Sequence, residues 1–512
     1  MMEPKKTGGE GFVHVLRVQW TIFRQGRILV VGMVVAVLLT VLLGLRAASN
    51  GSYVDVSCGR TVCSRSGLTT GEPLVGPDGE AVEEKFYFVY QKLLGNGSIT
   101  ARLTSMTGEI ATFLPNRVVL VPGVQPWAKA GVIIKASTKQ GSPYAAMMLT
   151  GSHGVRMQDN FTQDIAGLPG SVSAASPRWL RLTREGSTLT GDESTNGTQW
   201  TTVSTAHLTG LSATVQVGLF VTSPCHVEEN ESGGCGYAPA IAVFDHVSLQ
   251  GEAPHGAWSR DDVGVDTDPH GMLIHPGSLV ESGGTFTVTG NGDIAPTGDP
   301  AGTIEGTLIG AVVGLIMVIV VAVLFVFAED SAGRNRISKR ASPERRALAA
   351  KALVLGLVTF ATQLVAVVIA VQLGKRIMLA NGGFQAVNLL TELRVMVGTA
   401  SVVAVAAVFA LALGALFRRR IVAMSVGMAL TVVPFVLAFV NLGAVFQWLL
   451  RLTPAAGFAI QQTFPAYPQV TADYTLRAGY YPLAPWAGFA VLCGYTVLAL
   501  GLAIFVPRHT SS

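Results

Sequence analysis

Six apolar stretches of the chain lie near 28–48, 306–328, 352–373, 395–416, 421–442 and 485–506. An apolar run of about 20 residues spans the ~30 Å hydrocarbon core as a helix, because only a helix satisfies its own backbone there. The pattern therefore predicts six transmembrane helices. Ahead of the first, the stretch FVHVLRVQWTIFRQGR places Val13, Leu16, Trp20 and Phe23 three and four residues apart, with Arg17, Arg24 and Arg27 around them. That stripe predicts an amphipathic helix lying in the membrane interface. The length of the first apolar run and the segment before it argue against a cleaved signal peptide.

Residues 49–305 follow another rhythm. Short alternating runs such as GSITARLTS, AGVIIKAS, AAMMLTG, WLRLTREGSTLTG and ATVQVGLFVTS are separated by turn signals. Alternation with period two predicts half-buried antiparallel strands in a sandwich. In TGDESTNGTQW, Asn196-Gly197 supplies the positive φ angles of a tight hairpin turn.

Composition agrees with this division. The chain is 49% hydrophobic and only 13% charged, against roughly 25% charged in a soluble domain. The net charge of +4 hides a regional bias. The stretch RNRISKRASPERRALAAK, between the second and third apolar runs, holds Arg334, Arg336, Lys339, Arg340, Arg345, Arg346 and Lys351 against the one acid Glu344. Lys and Arg collect in cytoplasmic segments. With the N-terminus inside, the inside segments add Lys5, Lys6, Arg17, Arg24, Arg27, Arg418, Arg419, Arg420 and Arg508 to those seven. The short outside segments hold only Lys375, Arg376, Arg451 and Arg477. Both termini are therefore expected in the cytoplasm and 49–305 outside. Part of the cationic loop is then a topology anchor. Lys351 is expected to snorkel from the start of its span.

Cys58, Cys63, Cys225 and Cys235 lie in the outside segment, and Cys493 in the last span. An even number outside the membrane suits disulfides. Three pairings are possible, and the sequence-local one, Cys58–Cys63 with Cys225–Cys235, is the expectation. The spacings C-x4-C and C-x9-C do not match typical zinc sites. No Asp-rich calcium loop, H-E-x-x-H, G-x-S-x-G or Walker G-x-x-x-x-G-K-[ST] motif occurs. The spans carry few polar groups, Gln363, Gln372 and Ser401 with scattered Thr. That scarcity argues against a proton-driven carrier.

Two resemblances carry the reading further. The stretches FYFVYQKLLGNGSITARLTS (86–105), PWAKAGVIIKAS (126–137), AAMMLTG (145–151), WLRLTREGSTLTGDESTNGTQW (179–200), VGLFVTS (217–223) and IAVFDHVSL (241–249) resemble the concanavalin-like, laminin-G-type jelly rolls. FTVTGNGDI, which resembles an initial strand of such domains, comes after the rest at 286–294. The strand is thus expected to close the sheet from its C-terminal side, beside the second span. Jelly rolls of this class often bind sugar, which makes Trp127, Trp179, Asp192 and Trp200 the candidate ligand surface. The membrane half resembles actinobacterial type-2 ABC transporter permeases. The likeness rests on the amphipathic entry helix, on Glu329, Gly333, Pro343, Arg345 and Lys351 in the loop after the second span, on ALGALFRRRIVAMSVGM (412–428) and on LTPAAGFAI (452–460). Asp330 and Arg334 depart from the family pattern.

The expected fold is an α-helical membrane protein with six transmembrane helices and an all-β extracytoplasmic jelly roll inserted between helices 1 and 2. Its expected parts are a cytoplasmic interfacial helix (1–27), the first span (28–48), the β-sandwich (49–305), the second span (306–328), a cytoplasmic coupling loop (329–351) and spans three to six (352–508). The resemblance implies a permease subunit of an ATP-binding cassette exporter in a bacterial plasma membrane. It implies a second permease subunit, the same or different, and a separate ATPase subunit that carries ATP and Mg. That ATPase would dock on Glu329, Gly333, Arg336, Lys339, Arg340, Pro343 and Arg345. No catalytic residue, metal, cofactor or nucleic-acid partner is expected on this chain. The competing readings are a membrane-anchored glycan or cell-wall recognition protein and an intramembrane or extracellular enzyme.

Overall fold

The computed structural model describes residues 12–49, 56–58, 61–63, 74–114, 117–227, 235–252, 257–265, 272–296, 303–331, 344–380, 387–440, 444–470, 476 and 479–505. The chain begins with a helix pair, α1 (Phe12–Gln25) and α2 (Arg27–Ser49). Among the described residues, twenty strands follow: β1 (Val56–Cys58), β2 (Thr61–Cys63), β3 (Val82–Glu84), β4 (Phe86–Leu114), β5 (Arg117–Pro122), β6 (Lys129–Lys135), β7 (Tyr144–Thr150), β8 (Val155–Asp159), β9 (Gln163–Ala166), β10 (Arg178–Glu185), β11 (Thr188–Ser194), β12 (Thr201–His207), β13 (Thr214–Thr222), β14 (His226–Val227), β15 (Cys235–Gly236), β16 (Ala240–Glu252), β17 (Ser259–Val263), β18 (Ser278–Ser282), β19 (Thr285–Gly290) and β20 (Ile294–Pro296). A C-terminal helical region completes the order: α3 (Ile309–Ser331), α4 (Glu344–Ala380), α5 (Leu389–Phe417), α6 (Arg420–Thr431), α7 (Val433–Phe439), α8 (Ala444–Leu452) and α9 (Pro485–Phe505). Two 3-10 helices, Ile304–Leu308 and Pro454–Gln461, lie within it.

This order corrects the expected fold class. The β region does not sit between helices 1 and 2; it follows a helix pair. The β region is sandwich-like as expected, but its layers are one continuous sheet: fourteen strands hydrogen-bond into a barrel-like whole with the central run β12-β11-β10-β4-β13-β6-β7-β8-β9. The physical reason is β4. It is 29 residues long and pairs with β10, β13, β16, β17 and β5, so one strand runs through both parts of the sheet. Glycines let it bend. Gly95 has φ +69°, and a Cβ on Gly97 would stand 2.2 Å from the Gln250 carbonyl oxygen. Two residues without side-chain obstruction turn one strand through the whole sheet.

The curled sheet encloses a core of Val89, Leu93, Ile99, Leu103, Val132, Ile134, Met147, Leu180, Leu189, Val217 and Phe244. A second apolar cluster, with Phe86, Phe88, Ile133, Tyr144, Phe161 and Phe220, lies on the opposite face. There β20 pairs with β3, and two buried cations fasten this ribbon to β6. Lys129 Nζ lies 2.5 Å from Asp293 Oδ1 and donates to the Ile294 carbonyl at 2.6 Å. Lys135 Nζ lies 2.6 Å from Glu84 Oε1, with both side chains fully buried. Glu84 Oε2 accepts from the Gly141 amide at 2.6 Å. The FTVTGNGDI segment forms β19, paired with β16 and β18, and then enters β20 ahead of the Ile304–Leu308 helix.

Among the described residues, six helical segments are long and apolar enough to cross a membrane: Arg27–Ser49, Ile304–Ala328, Arg345–Ala380, Leu389–Phe417, Arg420–Phe439 and Pro485–Phe505. The fifth is broken between α6 and α7, where Pro434 cannot continue the hydrogen-bond ladder. The Pro454–Gln461 helix is buried from end to end against α5 and α9. Glycines allow that approach: a Cβ on Gly488 would stand 2.2 Å from the Ala456 carbonyl oxygen. Lys351 departs from expectation. Only 6% exposed, it does not snorkel; its Nζ donates to the Val326 carbonyl at 3.0 Å, near the C-terminal end of α3.

Candidate functional site at the seam of sheet and helices

Three of the six membrane-length segments begin on the side that carries the sheet, at Ile304, Leu389 and Pro485. A cavity of about 240 Å³ lies there between the two halves. The sheet side contributes Glu80 and Pro296; the helical side contributes Asn388, Thr391, Arg394 and Thr463. Local sequence positions each group. Glu80 closes a turn in which its carbonyl accepts from Gly76 at 2.8 Å. Asn388 caps α5, accepting from the Leu390 amide at 2.9 Å. Further along α5, Arg394 donates through Nη2 to the Gln462 carbonyl. Behind the cavity, Glu305 accepts at Oε1 from the amide and, at 2.7 Å, from the hydroxyl of Thr463. Tyr481 donates to Gln461 at 3.1 Å. The sheet meets the helical half again where Gln469 Nε2 donates to the Thr162 carbonyl at 3.3 Å. A second polar group sits nearby: Glu392 takes Lys375 Nζ and Gln372 Nε2, each at 2.8 Å.

Of the four candidate ligand residues of the β domain, Trp127 stands apart, while Trp179, Asp192 and Trp200 share one face of the sheet. Trp127 is buried, stacked on His153 at 3.8 Å and approached by Arg156 at 5.4 Å. Trp179 lies beneath the Asn196-Gly197 turn and beside Arg102, whose Nε and Nη2 donate to Asp245 at 2.7 and 2.6 Å. Asp192 and Trp200 do meet, through Arg181. Its guanidinium stacks 4.2 Å from the Trp200 ring and donates twice to Asp192 Oδ2, at 3.0 and 2.9 Å. Asp192 Oδ1 accepts from Thr202 at 2.7 Å. Both carboxylate oxygens are thus occupied within the fold, as in a structural ladder across the sheet face.

Of the expected coupling residues, Gly333, Arg336, Lys339, Arg340 and Pro343 lie outside the described residues, as does the Glu329 side chain. Glu329 itself belongs to α3. Arg345 is exposed in the first turn of α4, its guanidinium 5.4 Å from the Phe505 ring. Cys225 is disulfide-bonded and Cys493 is a free thiol. The side chains of Cys58, Cys63 and Cys235 are outside the described ones. The seam cluster was not among the expected sites. Glu305 and Arg394 stand at the ends of apolar runs, where a charge reads as a boundary.

On the sheet side, burial pushes Asp159, at the end of β8, up to about 6, with Asp78 adding to the effect. Unfolded, it titrates near 3.9. A raised acid penalises the folded state above its folded pKa; the penalty is absent below the unfolded one. Asp159→Asn should therefore raise the melting temperature at pH 7.5 and leave it nearly unchanged at pH 4, with the gain developing between pH 4 and 6. Differential scanning fluorimetry at both pH values checks this; an equal gain at both would contradict it.

The class so defined is a membrane protein with six membrane-length helices and a large, barrel-like β domain. No protein-family model matches the chain, and no curated protein matches it. Similar solved structures each cover less than half of the chain. One is a functionally unknown protein from Saccharomyces cerevisiae, 14% identical, covering 36% of this chain and 85% of its own, with a TM-score of 0.23. Another is scytalido-glutamic peptidase with a transition-state analogue inhibitor, 10% identical, covering 40% and 98%, with a TM-score of 0.25. A third is a single-residue mutant of the GH43 protein BlXynB from Bacillus licheniformis, 13% identical, covering 31% and 28%, with a TM-score of 0.20. At these scores none bears on activity.

Proposed function

We propose that the chain is the membrane-spanning permease subunit of an ATP-binding cassette exporter. It pairs with a second permease subunit and is powered by a separate ATPase. The observation that carries the reading is the six-span architecture with its dense cationic segment, Arg334 to Lys351, between the second and third spans. That charge asymmetry favours both termini and this segment in the cytoplasm and the β domain outside, over the path. Six spans exceed what an anchor for a recognition domain needs. With no Walker motif in the chain, ATP and Mg belong to the partner. The outside placement also suits disulfides among Cys58, Cys63, Cys225 and Cys235.

The coupling contact is assigned to Arg336, Lys339 and Arg340, while Arg345, Arg346 and Lys351 hold the topology. Reversing the first three to Glu should reduce co-purification of an ATP-binding cassette ATPase at least fivefold at matched membrane levels, with insertion unchanged. Affinity capture of tagged full-length protein from its native membrane, read by mass spectrometry, is the measurement. Failure of any such ATPase to accompany the wild type would overturn the reading.

A further inference from the structure

The seam cavity contains two charged groups that the fold leaves incomplete. Among the described residues, Glu80 Oε2 and Arg394 Nε are buried with no hydrogen-bond partner. Both side chains line the same cavity of about 240 Å³. Neighbouring groups do not complete them. Arg394 spends Nη2 on the Gln462 carbonyl. Glu305, behind the cavity, lies within electrostatic reach of Arg394; its Oε1 is held by Thr463, and its Oε2 is also buried without a partner among the described residues, so it offsets the guanidinium charge without hydrogen-bonding Arg394 Nε. A buried polar atom without a partner costs about 1–3 kcal/mol, and more when charged. Burial raises the Glu80 carboxyl above its ordinary value, as expected of a carboxylate short of a counter-charge.

We propose that this cavity binds a zwitterionic group, with an ammonium on Glu80 and a phosphate or carboxylate on the Arg394 guanidinium. The charge balance selects that class. A purely anionic ligand would meet the carboxylates of Glu80 and Glu305. A purely cationic one would leave Arg394 Nε buried and unmatched, and a neutral one would leave both ends so. Arg suits the anionic end because its planar fork matches phosphate and carboxylate oxygens. Ala81, Pro296, Val387 and Phe464 supply apolar wall for a short methylene linker. The cavity lies where three membrane-length helices begin, which is headgroup depth for an aminophospholipid. The same chemistry is offered by a free zwitterion such as phosphoethanolamine. The proposal uses only residues of this chain and stands whether or not an ATPase drives it.

The test uses full-length protein in neutral detergent. Calorimetric titration with phosphoethanolamine probes the free zwitterion. Native mass spectrometry of protein exchanged into an equal mixture of phosphatidylethanolamine and phosphatidylglycerol probes the lipid. The wild type should bind phosphoethanolamine at least tenfold more tightly than inorganic phosphate or ethanolamine, or retain phosphatidylethanolamine preferentially, or both. The positive arm identifies the source. Glu80→Gln and Arg394→Gln should each lower that binding at least tenfold, and Thr391→Trp, which fills the cavity and keeps both charged residues, should abolish it. Absence of both kinds of binding in the wild type would overturn the proposal. So would unchanged binding in a folded, monodisperse Thr391→Trp protein.

Discussion

Removing one partner of the Lys135–Glu84 pair should cost about 3–5 kcal/mol, as expected for an uncompensated buried charge. Both side chains are 0% exposed, 2.6 Å apart. They stand at the crossing of β6 with the β3–β20 ribbon. Burial pushes the Glu84 carboxyl up and the Lys135 ammonium down, each toward its neutral form and against the attraction of its partner. Desolvation therefore opposes the mutual stabilisation, and the double variant should lose much less stability than either single one. Lys135→Met leaves the Glu84 carboxylate with the Gly141 amide and without a counter-charge, and should lower the melting temperature by several degrees. The double variant Lys135→Met/Glu84→Leu removes both desolvation costs and should recover most or all of the loss. A thermodynamic cycle over wild type, both single variants and the double one measures the coupling. Additive losses would show that the pair does not hold the ribbon.

Lys135 and its companion Lys129 also show where the sequence was opaque. In WAKAGVIIKAS they flank an apolar run, and nothing local marks either as buried. The structure buries both, because the ribbon that covers them comes from residues 82–84 and 293–296, far along the chain. Features carried by a run of adjacent residues were legible: the six apolar segments, the helix before the first of them and the alternation of the strands. Features carried by convergence were not. Nothing in FYFVYQKLLGNGSITARLTSMTGEIATFL announces one 29-residue strand serving five partners, although Gly95 and Gly97 mark where it bends. Glu80, Glu305, Arg394 and Thr463 come from four separate segments, so no spacing could have joined them into one site. Lys351 looked like a snorkelling cation because its distance from the α3 carbonyls is invisible in one dimension. One missed signal was present in plain view. Gly32, Ala36, Thr40, Gly44 and Ala48 recur every four residues, and all are buried in α2.

That small-residue stripe carries the other large effect. In lipid, apolar side chains gain nothing by leaving one apolar surroundings for another, so helices associate by close packing and interhelical polar contacts. On α2 a Cβ at Gly32 would stand 2.5 Å from Val321 Cγ2, and at Gly44 2.2 Å from the Thr307 carbonyl oxygen. The facing helix answers in kind: a Cβ at Gly310 would lie 2.3 Å from the Thr40 carbonyl oxygen, and at Gly314 2.6 Å from Thr40 Oγ1. The Thr40 hydroxyl, between them, reaches the Ala36 carbonyl at 2.9 Å and Gln363 Oε1 at 3.1 Å, tying α2 to α4 as well. Overpacking a core costs about 1–3 kcal/mol when flexible side chains can move aside. Here the obstacle at Gly310 is backbone, so Gly310→Leu should exceed that range and prevent recovery of monodisperse protein from detergent. Two glycines of α9 serve as controls. A Cβ added at Gly494 or Gly501 would meet nothing within 4 Å among the described residues, and leucine at either should leave yield and melting temperature at wild-type values. Size-exclusion profiles and melting curves of the three variants decide it: a well-behaved Gly310→Leu protein would mean that α2 and α3 do not pack through their glycines.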